Sequence, residues 1–254
     1  MFVACSTLCF GTSPLADALR RISELGFTKV DVAVGDEGHL KPGDVAADIG
    51  RTAQQLRAGP GLAVAAFHVE LAETISADEA AEQVRAMCRL ARVLATPLVS
   101  LCASPAGSDK SAEIERLGRF NRLARGEGVT LAVATRTGTL TDDPAIAVEL
   151  CQKIPGLGIA MDPSHYLVGP YHDDDLDILY PYVQHVRLRD TNGKTGQFQV
   201  RIGQGEIEYG RIVNQLARYD YQRTLSVDIH DRPEPSYPMP PEVRKLKYLL
   251  ESLI

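Results

Sequence analysis

Eight short apolar, β-branched runs, each followed by a segment with helical spacing, predict a single (β/α)8 TIM barrel. The strand–helix order is strict, with roughly thirty residues per unit. The length of 254 residues suits one such barrel, and no Ser/Gly/Pro linker or shift of composition divides it. Residues 1–254 therefore read as one domain.

The elements follow in order. Phe2–Leu8 is the first strand, and Pro14–Leu25 the first helix, with Ser13 as cap, Pro14 at the first helical position and Gly26 as the stop. Thr28–Val34 and the helix Val45–Arg57 form the second unit, Leu62–His68 and Ala77–Leu94 the third. Ser76 and Glu79 have capping-box spacing at the start of that third helix. Pro97–Ala103 precedes the helix Ser111–Arg125, and Val129–Thr135 precedes Pro144–Lys153, where Asp143 before proline repeats the first capping pattern. Leu157–Asp162 leads to a short helix over Asp175–Tyr180, and the acids Asp173, Asp174 and Asp175 suit its N-terminal dipole. Val183–Arg189 with Ile207–Arg218, and Thr224–Ile229 with Pro241–Leu253, complete the set. The proline-rich Arg232–Pro241 reads as the connector to the last helix.

Composition narrows the function. Hydrophobic residues make up 44% and charged residues 24%, with a formal net charge of −6, which is ordinary for a folded soluble chain. No lysine/arginine run gives the footprint of a nucleic-acid binder. No apolar stretch reaches the ~20 residues of a membrane span, and no basic-then-apolar leader opens the chain. The 5 cysteines are odd in number and scattered, which fits a reducing cytoplasm. Cys5 and Cys9 read as buried small hydrophobes, since structural zinc needs more donors than one pair. A dinucleotide site wants G-x-G-x-x-G after the first strand, where the chain has Cys9-Phe10-Gly11-Thr12-Ser13. Gly193-Lys194-Thr195 lacks the earlier glycine of a phosphate loop, because Leu188 stands there.

Alternation along each strand assigns the two faces. The large apolar residues mark the side that meets the helices, so Asp31, Ala132, Ala134, Asp162, His185, Arg187, Arg189, Ser226 and Asp228 point to the axis. Asp162, Arg187 and Asp228 come from adjacent strands, and Arg187 is expected to stand between the two acids. Buried charges must pair or meet a polar ligand. His68, Arg136, His165 and His230 fall at the C-terminal rim, where such barrels keep their sites.

The chain resembles the xylose-isomerase-like superfamily of sugar isomerases and epimerases. The matching stretches are Gly128-Val129-Thr130-Leu131-Ala132-Val133, Gly158-Ile159-Ala160-Met161-Asp162-Pro163-Ser164-His165, His185-Val186-Arg187-Leu188-Arg189-Asp190, Gly203-Gln204-Gly205-Glu206-Ile207 and Leu225-Ser226-Val227-Asp228, with His68 at the end of the third strand. The resemblance implies a divalent cation held by glutamate, aspartate, histidine and glutamate from strands five to eight. Those positions hold Ala134, Asp162, Arg187 and Asp228 here. Arginine has no lone pair to donate, so the expectation is no metal cofactor, with Arg187 in its electrostatic role; a divalent metal on a rearranged set of Asp162, Asp228 and one rim histidine is the disfavoured alternative. The family's apurinic-site endonucleases need a metal cluster and a basic groove, and neither is visible.

The resemblance implies proton transfer next to a carbonyl through an enediolate, on a small sugar, sugar phosphate or polyol. In this reading Asp162, Arg187 and Asp228 are catalytic, with Arg187 stabilising the developing oxyanion and an aspartate as base. His68, Arg136, His165 and His230 bind substrate. Ala134 removes one of the two carboxylates that two-base epimerisation uses, while one-base isomerisation survives. The alternative is a non-catalytic barrel that binds a small polar ligand or a partner subunit. The resemblance also allows self-association into a homo-oligomer.

Overall fold

The apolar runs lie side by side and all point the same way, because every connection between them crosses back over the sheet. The computed structural model describes residues 1–172, 175–232 and 237–254. The strands are β1 (Phe2–Ser6), β2 (Lys29–Val34), β3 (Ala63–Val69), β4 (Leu98–Cys102), β5 (Thr130–Ala134), β6 (Gly158–Met161), β7 (Val183–Leu188) and β8 (Thr224–Val227). They pair in chain order, and β8 returns to β1 with Phe2 opposite Thr224 and Cys5 opposite Val227. The closed parallel barrel leaves no sheet edge.

The helices are α1 (Leu15–Glu24), α2 (Pro42–Ala47), α3 (Ile49–Arg57), α4 (Ala77–Val93), α5 (Lys110–Gly126), α6 (Pro144–Lys153), α7 (Pro163–Val168), α8 (Tyr209–Arg218) and α9 (Met239–Glu251). Ser76 caps α4 and Asp143 caps α6, as their sequence signals predict. Ser13 does not cap α1; Pro14 occupies that position without a side-chain hydrogen bond.

Three expectations need correction. The helix expected over Val45–Arg57 is two helices, broken at Asp48, whose carboxylate accepts from the Arg51 amide at 2.9 Å and starts α3. The α-helix expected over Asp175–Tyr180 is a 3-10 helix over Leu176–Tyr182 with Pro181 inside it, and proline cannot extend an α-helical ladder. Asp175 caps it through the Asp177 amide, while positions 173 and 174 lie outside the described residues. The short α7 follows β6 directly and was not expected. Of the connector over Arg232–Pro241, positions 233–236 lie outside the described residues.

Two apolar shells result. Between strands and helices sit Val30, Val32, Val34, Ile159, Val186, Leu225 and Val227 among many others. Inside the barrel a much smaller cluster forms from Ala66, Leu98, Ala132, Ala134 and Ala160. Interiors of this kind are ordinarily filled by branched apolar residues. Alanines leave the axis to charged side chains instead. Cys5, Cys9, Cys88, Cys102 and Cys151 are free thiols, and Cys5 and Cys9 are buried beside β8, with Cys9 Sγ on the Val227 carbonyl. Among the described residues no helix is long and apolar enough to cross a membrane.

The Gly203-Gln204-Gly205 turn folds over the end of β7. Asp190 Oδ2 accepts from the amides of Gly203 (2.8 Å) and Gly205 (3.1 Å). A Cβ at Gly205 would strike Asp190 Oδ1 and the Thr191 carbonyl, so a side chain is excluded there.

Candidate active site

Strand β7 and the residue after it send three basic side chains to the axis at alternate positions, about 7 Å apart along the chain. Each meets an acid from a different strand or strand end. His185 Nε2 lies 2.8 Å from Asp31 Oδ2 on β2. Arg187 Nη2 lies 3.0 Å from both oxygens of Asp228, just past β8. Arg189 Nη2 lies 2.8 Å from Asp162 Oδ2, just past β6. All six are buried. Burial of an unpaired polar or charged group is costly, and each of the three has an acidic partner.

The pairing departs from the expectation that Asp162 and Asp228 both flank Arg187. Asp162 caps α7, accepting at Oδ1 from the Ser164 amide (3.0 Å) and hydroxyl (2.6 Å). That anchorage directs Oδ2 to Arg189 rather than Arg187. Arg189 also donates from Nε to Ser164 Oγ (2.8 Å) and from Nη2 to His165 Nε2 (3.0 Å). Both ring nitrogens of His165 face donors, Nε2 the Arg189 guanidinium and Nδ1 the Thr137 amide at 3.2 Å, and its ring lies 4.8 Å from that of Phe198. Burial, reinforced by Arg189, lowers its pKa to about 4. Burial alone would raise the Asp162 pKa, but Arg189, His165 and Ser164 outweigh it and hold the carboxyl below its ordinary range.

Asp228 behaves alike. Desolvation opposes its charge, yet Arg187 and His230 keep its pKa well below that of a free carboxylate. His230 Nε2 stands 3.2 Å from Asp228 Oδ2, and Arg232 donates to Nδ1 at 3.3 Å. Arg189 Nη1 also approaches Nε2 at 3.3 Å, so this nitrogen stands between a carboxylate and a guanidinium. Arg187 spends Nη2 on Asp228, and its buried Nε has no hydrogen-bond partner among the described residues.

His68 stands apart from the carboxylate pairs. Its Nδ1 lies 3.0 Å from Ser100 Oγ, and the Ser100 hydroxyl donates to the Phe67 carbonyl at 3.4 Å. Nδ1 is therefore the protonated nitrogen, which leaves the Nε2 lone pair open, 4.0 Å from Glu70 Oε1. Burial, then Arg187, drives its pKa well below 6.5. Arg136 bonds Glu70 and approaches Cys102 Sγ at 3.4 Å, and it is half exposed. His68, Glu70, Arg187 and His230 line a cleft of about 30 Å³ at the barrel mouth, closed on its apolar side by Leu8, Ala33 and Val34.

A divalent ion at the position implied by the resemblance does not fit these residues. Ala134 offers a methyl group, Arg187 a fixed cation, and the carboxylates of Asp162 and Asp228 are already neutralised by guanidinium groups. A second group of donors, His68, Glu70 and Cys102, has ligand atoms within 4.8 Å of one another. Arg136 Nη1 bonds two of those three, so a cation there would compete with a guanidinium.

The structure thus brings Asp162, Arg187, Asp228, His68, His165 and His230 to one end of the barrel, and it puts Arg136 on the rim. Sequence parity alone did not assign roles to Arg189, Ser164 and Glu70. Arg189 shares the inward parity of Arg187, Ser164 sits inside the Asp-Pro-Ser-His stretch, and Glu70 lies two residues past His68, so each was within reach of the same reasoning.

A D-tagatose 3-epimerase-like protein has a similar structure, with a TM-score of 0.75 and 18% identity, covering 100% of this chain and 98% of its own. An L-ribulose 3-epimerase follows at 0.75 and 16%, covering 99% and 95%. The probable 3-DHS dehydratase AsbF of Bacillus anthracis reaches 0.77 at 16%, covering 99% of each chain. No curated protein sequence is close enough to count as a match. At such identities these likenesses show the fold. The family model described as xylose isomerase-like TIM barrel matches residues 19–251, and with nearly the whole chain inside it, the protein belongs to that family.

Proposed function

We propose that the protein is a sugar or sugar-phosphate isomerase or epimerase-like enzyme that works without the family's divalent metal or any other cofactor. The observation that carries this is the open Nε2 of neutral His68 on the same cleft as Arg187 and His230. His68 takes the proton from the carbon next to the substrate carbonyl. The electron pair moves to the carbonyl oxygen, and Arg187 stabilises the enediolate charge. Asp162 and Asp228, named as candidate bases by sequence, are better suited to holding guanidinium groups in place, because their carboxylate oxygens are already engaged by Arg189, Ser164, Arg187 and His230. Arg136 and His165 lie toward the rim, where they suit a hydroxyl or phosphate of a small sugar or polyol. We place this enzyme in the cytoplasm with a small-molecule substrate; the net acidity of the chain supports that over nucleic-acid binding.

The test is deuterium incorporation from D2O into a panel of aldoses, ketoses and their phosphates, with protein purified without added metal and then treated with chelator. Exchange should survive the chelator, and fall about 100-fold or more in His68→Asn and in Arg187→Met. Exchange that stops on chelation and returns with a divalent ion would refute metal independence. A second reading, ligand binding without turnover, is favoured by one observation: both site aspartates are locked in ion pairs. Saturable binding of a panel member with no exchange would select it.

A further inference from the structure

A cavity larger than the cleft at the mouth lies at the opposite end of the barrel. About 380 Å³ opens among the starts of the strands, against about 30 Å³ at the C-terminal mouth. Small residues produce it: Ala63 and Ala65 on β3 and Ala95 before β4 leave the bottom layer unfilled, with Leu98 and Pro97 completing an apolar wall. The polar part of the lining is cationic or neutral. Lys29, His185 and Arg223 contribute to it, and among the described residues no aspartate or glutamate does. In a chain of net charge −6 that local sign is the reverse of the average. His185 is fixed at the inner end, with Nε2 on Asp31, which leaves Nδ1 as the ring's other polar atom. Lys29 is positioned over the Phe2 ring at 5.1 Å.

We infer that this N-terminal cavity is a second ligand site, for a small organic anion with a compact apolar body and one carboxylate or phosphate group. An apolar body the size of benzene fits a cavity of about 150 Å³, so the space here takes a ring together with its headgroup. Pockets of this size with an apolar wall and a few convergent polar groups are the usual form of small-molecule sites. The anionic group meets Lys29 and Arg223 at the rim, and the body rests on the alanines and Leu98. No residue is shared with the cleft at the mouth, so this site stands or falls independently of the proposed activity.

The experiment is a methyl NMR titration of the full chain, labelled at alanine and leucine, with benzoate, phenyl phosphate and their neutral counterpart benzamide. Saturable shifts at Ala63, Ala65 and Leu98 are expected with at least one of the two anions at millimolar concentration. Benzamide should bind at least tenfold more weakly. The tighter of the two anions supports the site and names its headgroup. Lys29→Gln with Arg223→Gln, two changes on the rim, should weaken anion binding at least tenfold without lowering the melting temperature, and Ala65→Leu should block it by filling the space. The inference is overturned if neither anion gives saturable shifts, if benzamide binds as well as benzoate, if the shifts fall at Ala33 and Ala134 instead, or if the double rim variant binds unchanged.

Discussion

Arg189 decides more about this site than any other side chain. Its guanidinium ties Asp162, Ser164 and His165 together at distances of 2.8 to 3.0 Å. Arg189→Met should therefore strand a buried carboxylate and destabilise the fold by about 3–5 kcal/mol, measured by urea unfolding. The histidines make a separate, pH-dependent contribution. His68, His165 and His230 all have pKa values lowered by burial, so the unfolded chain binds protons that the folded chain refuses. Their share of stability is complete above the unfolded value of 6.5 and is lost as pH falls toward the folded values. His165, at about 4, accounts for up to ~3 kcal/mol of that loss. Unfolding free energy should rise with pH between about 4 and 6.5, and His165→Gln should flatten the rise. Asp162 and Asp228, with depressed values, act in the same direction at lower pH, losing their stabilisation once they are protonated. A profile flat across this range would show that these rings are not buried as neutral species.

Elements near the site are held by their ends. Helix α7 owes its start to Asp162, which serves at once as helix cap and ion-pair partner, so the geometry of the site and the exit of β6 are one structure. The Gly203–Gly205 turn is held in the same way by Asp190 at the exit of β7. Gly205→Ala should cost about 1–3 kcal/mol, because its methyl group meets a carboxylate and a backbone carbonyl with no room to yield. Thermal unfolding checks this, and Gly210→Ala on α8, with open space around its Cβ, is the control and should not destabilise.

For the molecule as a whole, the unusual feature is a barrel axis built from hydrogen-bonded acid–base pairs and alanines. The lowest pair, His185 with Asp31, is 2% and 1% exposed and far from the mouth. A double-mutant cycle reads its role. His185→Leu alone should cost about 3–5 kcal/mol by leaving Asp31 buried without a partner. His185→Leu with Asp31→Leu should cost less than that single change, because an apolar pair needs no desolvation of charge. A double variant as unstable as the sum of its singles would show the two residues to be energetically independent.

The barrel, its strand order and the inward parity of Asp31, Asp162, Arg187 and Asp228 were legible in the sequence, because alternation and helical spacing are local and repeat eight times. The capping of α4 and α6 was legible for the same reason: Ser76 and Asp143 act within a few residues. The break at Asp48 and the 3-10 helix with Pro181 were missed, since periodicity continues through both and only backbone geometry separates them. Which acid serves which base was beyond the sequence as well. Parity says that Arg187 and Arg189 both point inward; the anchorage of Asp162 by Ser164, set by how β6 runs into α7, gives it to Arg189. Likewise, the open nitrogen of His68 depends on Ser100 across the neighbouring strand, and the cavity below depends on small residues converging from separate strands. Local order along the chain follows from nearest neighbours, whereas partner choice between charges depends on distances that exist only once the barrel has closed.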